Sequence, residues 1–578
     1  MNVAVPLLIT IPVFVLGYLI YARRIDRLFG VDDANATPAV TCCDDRDFVP
    51  TRSFVLFGHH FASIAGGGPI IGPTLALLYG YLPVWLWILL GAVFLGAVHD
   101  MTALFTAVRE KGRSMAEVAG TTLGRTGSLI FLGFTIMMLL MLTAVFLKLS
   151  AASLTSLVPV DALDLSGSTL PIRMVEDGGV QKYVIGGIAS TSVIIITLFS
   201  PLLGYLLYKR KANAYVMAAL SLTVAAISLM IGMHYPVRMG TSTWMILLSI
   251  YTVFAAGIPV WLVLQPRDFT NSFLLYIGIL LLVLGSIAAG LKGVTIGAPA
   301  LNVAQGSAKI GPIFPLLFIT VACGAISGFH SLVAGGTSCK QVSRESDVRR
   351  IAYGGMLLEG LLALLVAIAI GAGINFQHYV DVVFPAAGKG SNPILAFALG
   401  MGGLLNRGLG INHVVGAVFG ILMVEGFVVT TLDTAVRLNR YLLEELWSLI
   451  FKKAPRVMKS YLFNAVLCVV LMFALAHTNT IMDLWKIFGS ANQLLAALTL
   501  TAVAAWLALR KRNSLFATIP AVFMMAVTLS ALAYVLFTDY LPKGNWVLAA
   551  ADLVLLLMAL SVLGLAVKFI RSRKVATA

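Results

Sequence analysis

A histidine pair and a run of glycines share one long hydrophobic segment of this 578-residue chain. The segment reads FGHHFASIAGGGPIIGP from Phe57 to Pro73. Histidine gains and loses a proton near neutral pH. Glycines followed by prolines break a helix, and the freed main-chain N–H groups can bind an anion, although glycines also permit close helix packing. The segment therefore predicts a buried substrate site formed by His60, Gly66, Gly67 and Gly68.

Other ionisable residues lie inside apolar segments, where each charge is costly and often functional. The candidates for moving a proton or another cation are His59, His60, Asp100, His330 and Glu425. Three features also have structural interpretations: a hydrogen bond between His99 and Asp100, a buried Glu359, and an ion pair between Asp433 and Arg437, four residues apart.

Two more segments predict breaks in helices. AAGIPVW places Gly257 and Pro259 inside the apolar segment 243–264, and ISGFHSLVAGGTSCK covers Ile326 to Lys340. Because irregular backbone at membrane depth survives only where protein or a wet cavity surrounds it, these breaks predict an internal site.

The composition is that of a polytopic membrane protein. Charged residues make up 11% of the chain and hydrophobic residues 59%, against about 25% and 45–50% in soluble domains. The net charge of +15 does not indicate nucleic-acid binding, because most Lys and Arg flank apolar blocks, as membrane topology requires. The five cysteines show no metal-binding spacing, and no P-loop is present. We expect no cofactor.

Hydropathy predicts about fifteen transmembrane helices, with 391–404 as a half-helix or re-entrant piece. The distribution of Lys and Arg places the segments 209–211, 339–351 and 435–459 inside, the N-terminus outside and the C-terminus in the cytoplasm.

Five longer motifs resemble the carbon starvation protein A family. They are the segment that runs TRSFVLFGHHFASIAGGGPIIGPTLALLYGYLPVWLWILLGAVFLGAVHDM, and the shorter ISGFHSLVAGGTSCKQ, EGFVVTTLDTAVRLNRYLLEEL, IPVWLVLQPRDF and FGSANQLLAAL. The resemblance runs from about residue 30 to 500. It implies a transporter of the bacterial inner membrane that takes up peptides or pyruvate, with proton coupling in the pyruvate members.

The same resemblance implies an all-α fold with a five-plus-five inverted repeat of the leucine-transporter type. We then expect an N-terminal helix and loop (1–50), a first repeat (51–235), a second repeat (243–434) and accessory helices (435–578). The broken helices 53–79 and 243–264 would pair around the substrate, which adds Gly257 and Pro259 to the substrate site. His330, Thr337 and Ser338 would hold the coupling cation.

The resulting hypothesis is a secondary active transporter, not an enzyme, that imports a small carboxylate by proton symport, with pyruvate as the first candidate. Uptake of peptides or amino acids is the alternative, and sodium is the alternative coupling ion. An intramembrane metalloenzyme with His59, His60, His99, Asp100 and His330 as ligands, and a channel, are the remaining possibilities. The expected partners are the substrate, the coupling ion and the lipid bilayer.

Overall fold

A computed structural model describes residues 1–578 except 45–47, 161–172, 211, 260, 387–389, 452–454 and 577–578. The first half contains α1 (Val5–Leu16), α2 (Arg23–Phe29), α3 (Pro38–Thr41), α4 (Ser53–Ile64), α5 (Gly68–Ala76), α6 (Tyr81–Gly91), α7 (Ala97–Arg109), α8 (Met115–Leu154), α9 (Ile185–Gly204), α10 (Ala214–His234), α11 (Thr241–Gly257) and α12 (Leu264–Leu291). A small antiparallel sheet of β1 (Val158–Pro159), β2 (Met174–Asp177) and β3 (Val180–Tyr183), in the order β1-β3-β2, lies between α8 and α9.

The second half contains α13 (Val303–Lys309), α14 (Ile313–Thr320), α15 (Phe329–Gly336), α16 (Gly354–Gly373), α17 (Phe376–Val383), α18 (Pro393–Leu409), α19 (His413–Ile450), α20 (Tyr461–Thr478), α21 (Ile481–Leu509), α22 (Leu515–Val535) and α23 (Trp546–Ala576). Short π-helical segments join α1 to α2 (Gly17–Ala22) and α6 to α7 (Ala92–Gly96), follow α9 (Tyr205–Lys209) and α22 (Leu536–Tyr540), and precede α16 (Arg349–Tyr353). Single 3-10 turns cover Leu77–Tyr79, Ser338–Lys340 and Val457–Lys459.

The multi-pass helical fold is confirmed, whereas the count of fifteen spans is not. In the described part of the chain, 12 helices are long and apolar enough to cross a membrane, or up to 14 if each of two bent pairs is one span. The difference comes from irregular segments. The segment 243–264 yields α11, whose 17 residues are short for a span, and the segment 312–335 is divided between α14 and α15.

Small residues let the central helices approach closely. The helix α16 is buried over nearly its whole length. A Cβ built on its Gly373 would lie 1.8 Å from the carbonyl oxygen of Gly400 on α18, and one on Gly360 would lie 2.9 Å from the Ala92 side chain. Glycine at these positions permits the close helix contacts that are typical of membrane proteins.

The predicted break in 53–79 is confirmed. The helix α4 ends at Ile64, α5 begins at Gly68, and the two axes are bent by 48°. Gly66 donates from its amide to the Ile64 carbonyl at 2.7 Å, which closes a tight turn between the helices. A break also occurs in the segment that contains His330, but it lies before the histidine: the backbone between Thr320 and Phe329 is not helical, whereas Gly335 and Gly336 of the predicted motif belong to α15.

The predicted break at AAGIPVW ends a helix and does not interrupt one. Gly257 is the last residue of α11, and Pro259 lies in the connection before α12 begins at Leu264. Arg437 donates hydrogen bonds to the carbonyls of Ala255 and Ile258 at this helix end. The pairing of broken helices 53–79 and 243–264 is therefore not observed.

The segment between α16 and α19 begins and ends at neighbouring positions in the structure. Arg407, near the end of α18, donates to the carbonyl of Ala372, near the end of α16, at 2.6 Å. The intervening chain forms the short α17 and the 17-residue α18. This geometry agrees with a re-entrant element in the predicted region 391–404.

Candidate functional site

The two broken segments pack against each other. A Cβ built on Gly68, the first residue of α5, would lie 2.3 Å from Sγ of Cys323, and one on Gly72 would lie 2.7 Å from the Thr320 carbonyl oxygen. Cys323 and Thr320 belong to the break between α14 and α15 and to the helix end that precedes it. The glycines of the first break therefore allow direct contact with the second.

Side chains of α21 satisfy the backbone of the second break. The side-chain oxygen of Asn492 accepts a hydrogen bond from the Phe329 amide at 2.9 Å. The main-chain carbonyl of Asn492 accepts one from the Gly328 amide at 3.1 Å. Trp485 donates to the Thr320 carbonyl at 3.1 Å, and Trp87 of α6 donates to the Val321 carbonyl at 3.2 Å. Because buried backbone groups must be paired, these contacts explain how irregular chain persists in the interior.

The first break differs, because two of its amides have no partner. Within the described part of the chain, no hydrogen bond is donated by the N–H groups of Gly67 and Gly68 at the start of α5. Both residues are buried, and the side chains nearest to a Cβ on Gly67 are Val428 and Phe146. Unpaired N–H groups at a helix start attract anions.

A buried ionisable cluster joins three helices beside the breaks. His330 of α15 places Nδ1 2.7 Å from Oδ2 of Asp100 on α7, and Nε2 3.0 Å from Oε2 of Glu359 on α16. The Nδ1 of His99 lies 2.7 Å from Oδ1 of Asp100, which confirms the predicted hydrogen bond. All four side chains are at most 1% exposed. A histidine between two carboxylates is a group that can hold or release one proton.

His60 extends this arrangement to the first broken segment. Its Nδ1 lies 2.7 Å from the hydroxyl oxygen of Ser338, which follows α15, and its ring approaches Gly355 of α16. Nε2 of His60 is buried and makes no hydrogen bond to any described residue. The contact between His60 and Ser338 thus links α4 to the residues that directly follow α15, the helix of His330.

The remaining predicted site residues lie outside the cluster. His59 and Thr337 are exposed, and the Thr337 hydroxyl bonds to its own helix at Val333. Glu425 of α19 is buried and accepts a hydrogen bond from Ser153 of α8. Gly257 packs against the Tyr461 ring, away from the glycines of the first break.

The predicted ion pair between Asp433 and Arg437 is wrong. Asp433 pairs instead with Arg267 of α12 at 2.6 Å, and both are buried. Tyr251 of α11 donates to Asp433 at 3.0 Å. The physical reason is that Arg437 is drawn to the unpaired carbonyls at the end of α11, where the helix dipole favours a positive charge.

Three residues have larger roles in the structure than their sequence context indicates. They are Glu359, Arg267 of the motif IPVWLVLQPRDF, and Asn492 of the motif FGSANQLLAAL. The usable signal for Asn492 was a polar Asn-Gln pair within an apolar helix. Among the described residues, no three His, Cys, Asp or Glu side chains are arranged to hold a metal ion.

Comparison with known families and proteins gives consistent matches along the chain. Residues 2–392 and 374–531 match the family described as Carbon starvation protein CstA. A peptide transporter CstA of Helicobacter pylori is 31% identical, over 92% of this chain and 81% of the relative. The pyruvate/proton symporter BtsT of Escherichia coli is 30% identical over the same shares of the two chains.

A further relative and one solved structure extend the comparison. A peptide transporter CstA of Bacillus subtilis is 29% identical over 86% of this chain and 84% of the relative. A mutant manganese transporter of Eremococcus coleocola aligns with a TM-score of 0.42 at 10% identity, over 89% of this chain and 94% of that chain.

Proposed function

The chain belongs to the carbon starvation protein CstA family and is a multi-pass membrane transporter, and from this premise we propose that it imports a small carboxylate, pyruvate first, by proton symport. One observation carries the proposal: His330 contacts Asp100 and Glu359 in the interior, next to two broken segments that touch each other. Secondary transporters bind substrate and coupling ion at such breaks.

The coupling proton is assigned to the cluster of His330, Asp100 and Glu359. Two carboxylates around one imidazole can share a changing number of protons with little movement of heavy atoms. When a proton is bound, the cluster gains one positive charge, which offsets the negative charge of an incoming carboxylate. This charge balance is the reason why an anion and a proton would travel together.

The substrate carboxylate is assigned to the amides of Gly67 and Gly68. Neither N–H group has a hydrogen-bond partner among the described residues, and both lie at the start of α5, where the helix dipole favours negative charge. The buried Arg267 does not compete for this role, since Asp433, Tyr251 and Thr430 already accept its hydrogen bonds. Among the proposed residues, His60 lies on α4, the helix that leads into the same break.

Uptake into proteoliposomes tests the proposal. Purified protein is offered pyruvate, lactate, amino acids and dipeptides, under separately imposed proton and sodium gradients. Uphill accumulation of pyruvate under a proton gradient alone supports proton symport. Accumulation that requires sodium would move the coupling role to Thr337 and Ser338. Flux that never exceeds equilibrium would indicate a channel.

Uptake of peptides is the second candidate. It is favoured by the relatives from Helicobacter pylori and Bacillus subtilis that are named peptide transporters. A peptide also carries a carboxylate, so the same glycine amides would receive it. The substrate panel separates the two candidates, because saturable dipeptide uptake that pyruvate does not inhibit would reject pyruvate as the substrate.

Location, orientation and internal symmetry complete the proposal. We assign the chain to the bacterial inner membrane, with its N-terminus outside and its C-terminus in the cytoplasm, and we assign it no catalytic activity. The five-plus-five inverted repeat, with a first repeat over 51–235 and a second over 243–434, stays a prediction.

A further inference from the structure

A second buried acid lies apart from the histidine cluster. Glu425 is fully buried on α19, and its Oε1 accepts a hydrogen bond from the Ser153 hydroxyl on α8. Its Oε2 has no hydrogen-bond partner among the described residues. Within the same residues, no Lys, Arg or His nitrogen lies within 4.0 Å of the carboxylate.

Glu425 also borders a small cavity between α9, α12 and α19. The other polar side chains of the lining are Arg267 and Asn271, and the rest of the lining is apolar apart from the Gly426 backbone. The space is about that of one water molecule. The cavity therefore suits water or a proton, and it is too small for a substrate molecule.

Charged groups around the cavity are already paired with each other. Arg267 contacts Asp433 at 2.6 Å, and Tyr251 of α11 donates to the same carboxylate. From α8 the Ser153 hydroxyl contacts Glu425, and α9 contributes Val193 and Ile196 to the cavity lining. An ionised carboxylate without a partner in such surroundings costs several kcal/mol or more, so the group binds a proton instead.

Polar contacts connect Arg267 of the cavity lining to a partly exposed acid. Arg267 donates to the Thr430 hydroxyl at 3.1 Å, and that hydroxyl has two acceptors within reach, Asp268 at 2.8 Å and the Gly426 carbonyl at 2.7 Å. The Asp268 side chain is 34% exposed, although its neighbour Arg267 is only 3% exposed. These contacts join the cavity-lining Arg267 to a partly exposed carboxylate at the start of α12.

From these contacts we propose that Glu425 is a second proton-binding site, which works without the histidines and exchanges its proton with water in the adjoining water-sized cavity. The chemistry is the gain and loss of one proton on the carboxylate. The role of this proton in transport rests on the proton symport proposed above, whereas the protonated state of the resting protein does not.

Two measurements on the full-length protein test the proposal. The first is the infrared band of a buried protonated carboxylic acid in the resting state. We expect Glu425→Gln to remove one such band, and Ser153→Ala to keep it at a shifted frequency because the hydrogen bond to Oε1 is lost. An infrared spectrum that Glu425→Gln leaves unchanged would overturn the proposal.

The second measurement is the number of protons moved per substrate, obtained from the substrate gradient that exactly opposes an imposed proton gradient. We expect Glu425→Gln to lower this number by one, and Glu425→Asp, which keeps an acid, to restore it. The matched control is Asp552→Asn, which removes another fully buried acid without a hydrogen-bond partner, on α23 and outside the cavity. It should leave the ratio unchanged.

Each combination of the infrared and stoichiometry results supports or overturns the proposed role of Glu425. Loss of the band with an unchanged ratio would show a static protonated residue and overturn the carrier role. If the wild-type protein shows no proton coupling, the proposed symport fails, and the infrared result still decides whether Glu425 holds a proton. A Glu425→Gln protein that does not insert is replaced by Glu425→Asp, for which we expect the band to move and not to vanish.

Discussion

Nδ1 of His330 lies 2.7 Å from Oδ2 of Asp100, and this contact ties the segment after the second break to α7. Glu359 approaches the same imidazole from α16. A change in the protonation of the His330 ring therefore alters the electrostatic interactions among α7, α15 and α16. In a buried site the effect is strong, because little water screens the charges.

Replacement of His330 by glutamine should uncouple transport from the proton gradient. Glutamine fills similar space but cannot be protonated, so Asp100 and Glu359 lose the group that they share. We expect gradient-driven accumulation to fall by about tenfold or more, or about 1.4 kcal/mol, while substrate exchange without a gradient continues. The matched control is His234→Gln, because His234 is exposed at the end of α10. Equal accumulation in wild-type and His330→Gln vesicles would remove the cluster from coupling.

Replacement of Gly68 by alanine should abolish uptake for a steric reason. The added Cβ would meet Cys323 at 2.3 Å from Sγ and 2.6 Å from Cβ, which is too close for any side chain. We expect Gly68→Ala to reduce uptake by at least about tenfold, or about 1.4 kcal/mol, and the additional change Cys323→Gly to recover part of it. Uptake and thermal unfolding are measured on all three proteins. If the additional change Cys323→Gly does not restore uptake in the Gly68→Ala protein, a clash with Cys323 is not the reason why glycine is needed at position 68.

Asn492 should be a stability residue of the second break. Alanine at this position leaves the Phe329 amide without its acceptor in the interior, and an unpaired buried donor costs about 1–3 kcal/mol. Thermal unfolding in detergent should occur at a lower temperature for Asn492→Ala. The comparison is Thr501→Ala on the same helix, whose hydroxyl bonds only to the Ala497 carbonyl. Equal destabilisation by the two variants would argue against capping by Asn492.

The segment between α16 and α19 should have both ends on one side of the membrane. The hydrogen bond between Arg407 and Ala372 implies this arrangement. In a protein without its exposed cysteines Cys42 and Cys43, single cysteines at Gln377 and Asn406, both exposed, should react with an impermeant thiol reagent from the same side. Reaction from opposite sides would make α18 a full span.

The same assay tests the orientation. A cysteine at Ser346 should be protected in intact cells, because the basic segment 339–351 is expected in the cytoplasm. Reaction of Ser346→Cys with an external reagent, in cells that exclude the reagent, would reverse the proposed topology. A cysteine at Lys543, which is expected outside, serves as the positive control.

Composition and hydropathy were sufficient for the helical membrane fold, because nearly every span is a long apolar segment. The break in 53–79 was predictable, since the run Gly66–Gly68 favours irregular backbone, and a break beside His330 was predictable although it lies before the histidine, next to Gly328. The third prediction failed because a Gly and a Pro end a helix as readily as they interrupt one. Nothing in the local pattern of AAGIPVW distinguishes the two outcomes.

The site was only partly predictable, because its contacts join residues far apart in the chain. Asp100 and His330 were candidates as buried ionisable groups, but their direct contact depends on how α7 meets α15. Glu359 could not be linked to them for the same reason. The four-residue spacing of Asp433 and Arg437 suggested an ion pair, yet Arg267 from another helix supplied the stronger partner.

The two breaks differ in how their backbone groups are hydrogen-bonded, and this difference affects which elements can move independently. The break between α14 and α15 is held by Asn492 and Trp485, so any displacement of this stretch must carry α21 with it or sever several buried hydrogen bonds. Among the described residues, the amides of Gly67 and Gly68 have no such partner. In any movement of this region, α21 and the second break would therefore have to move together as one unit.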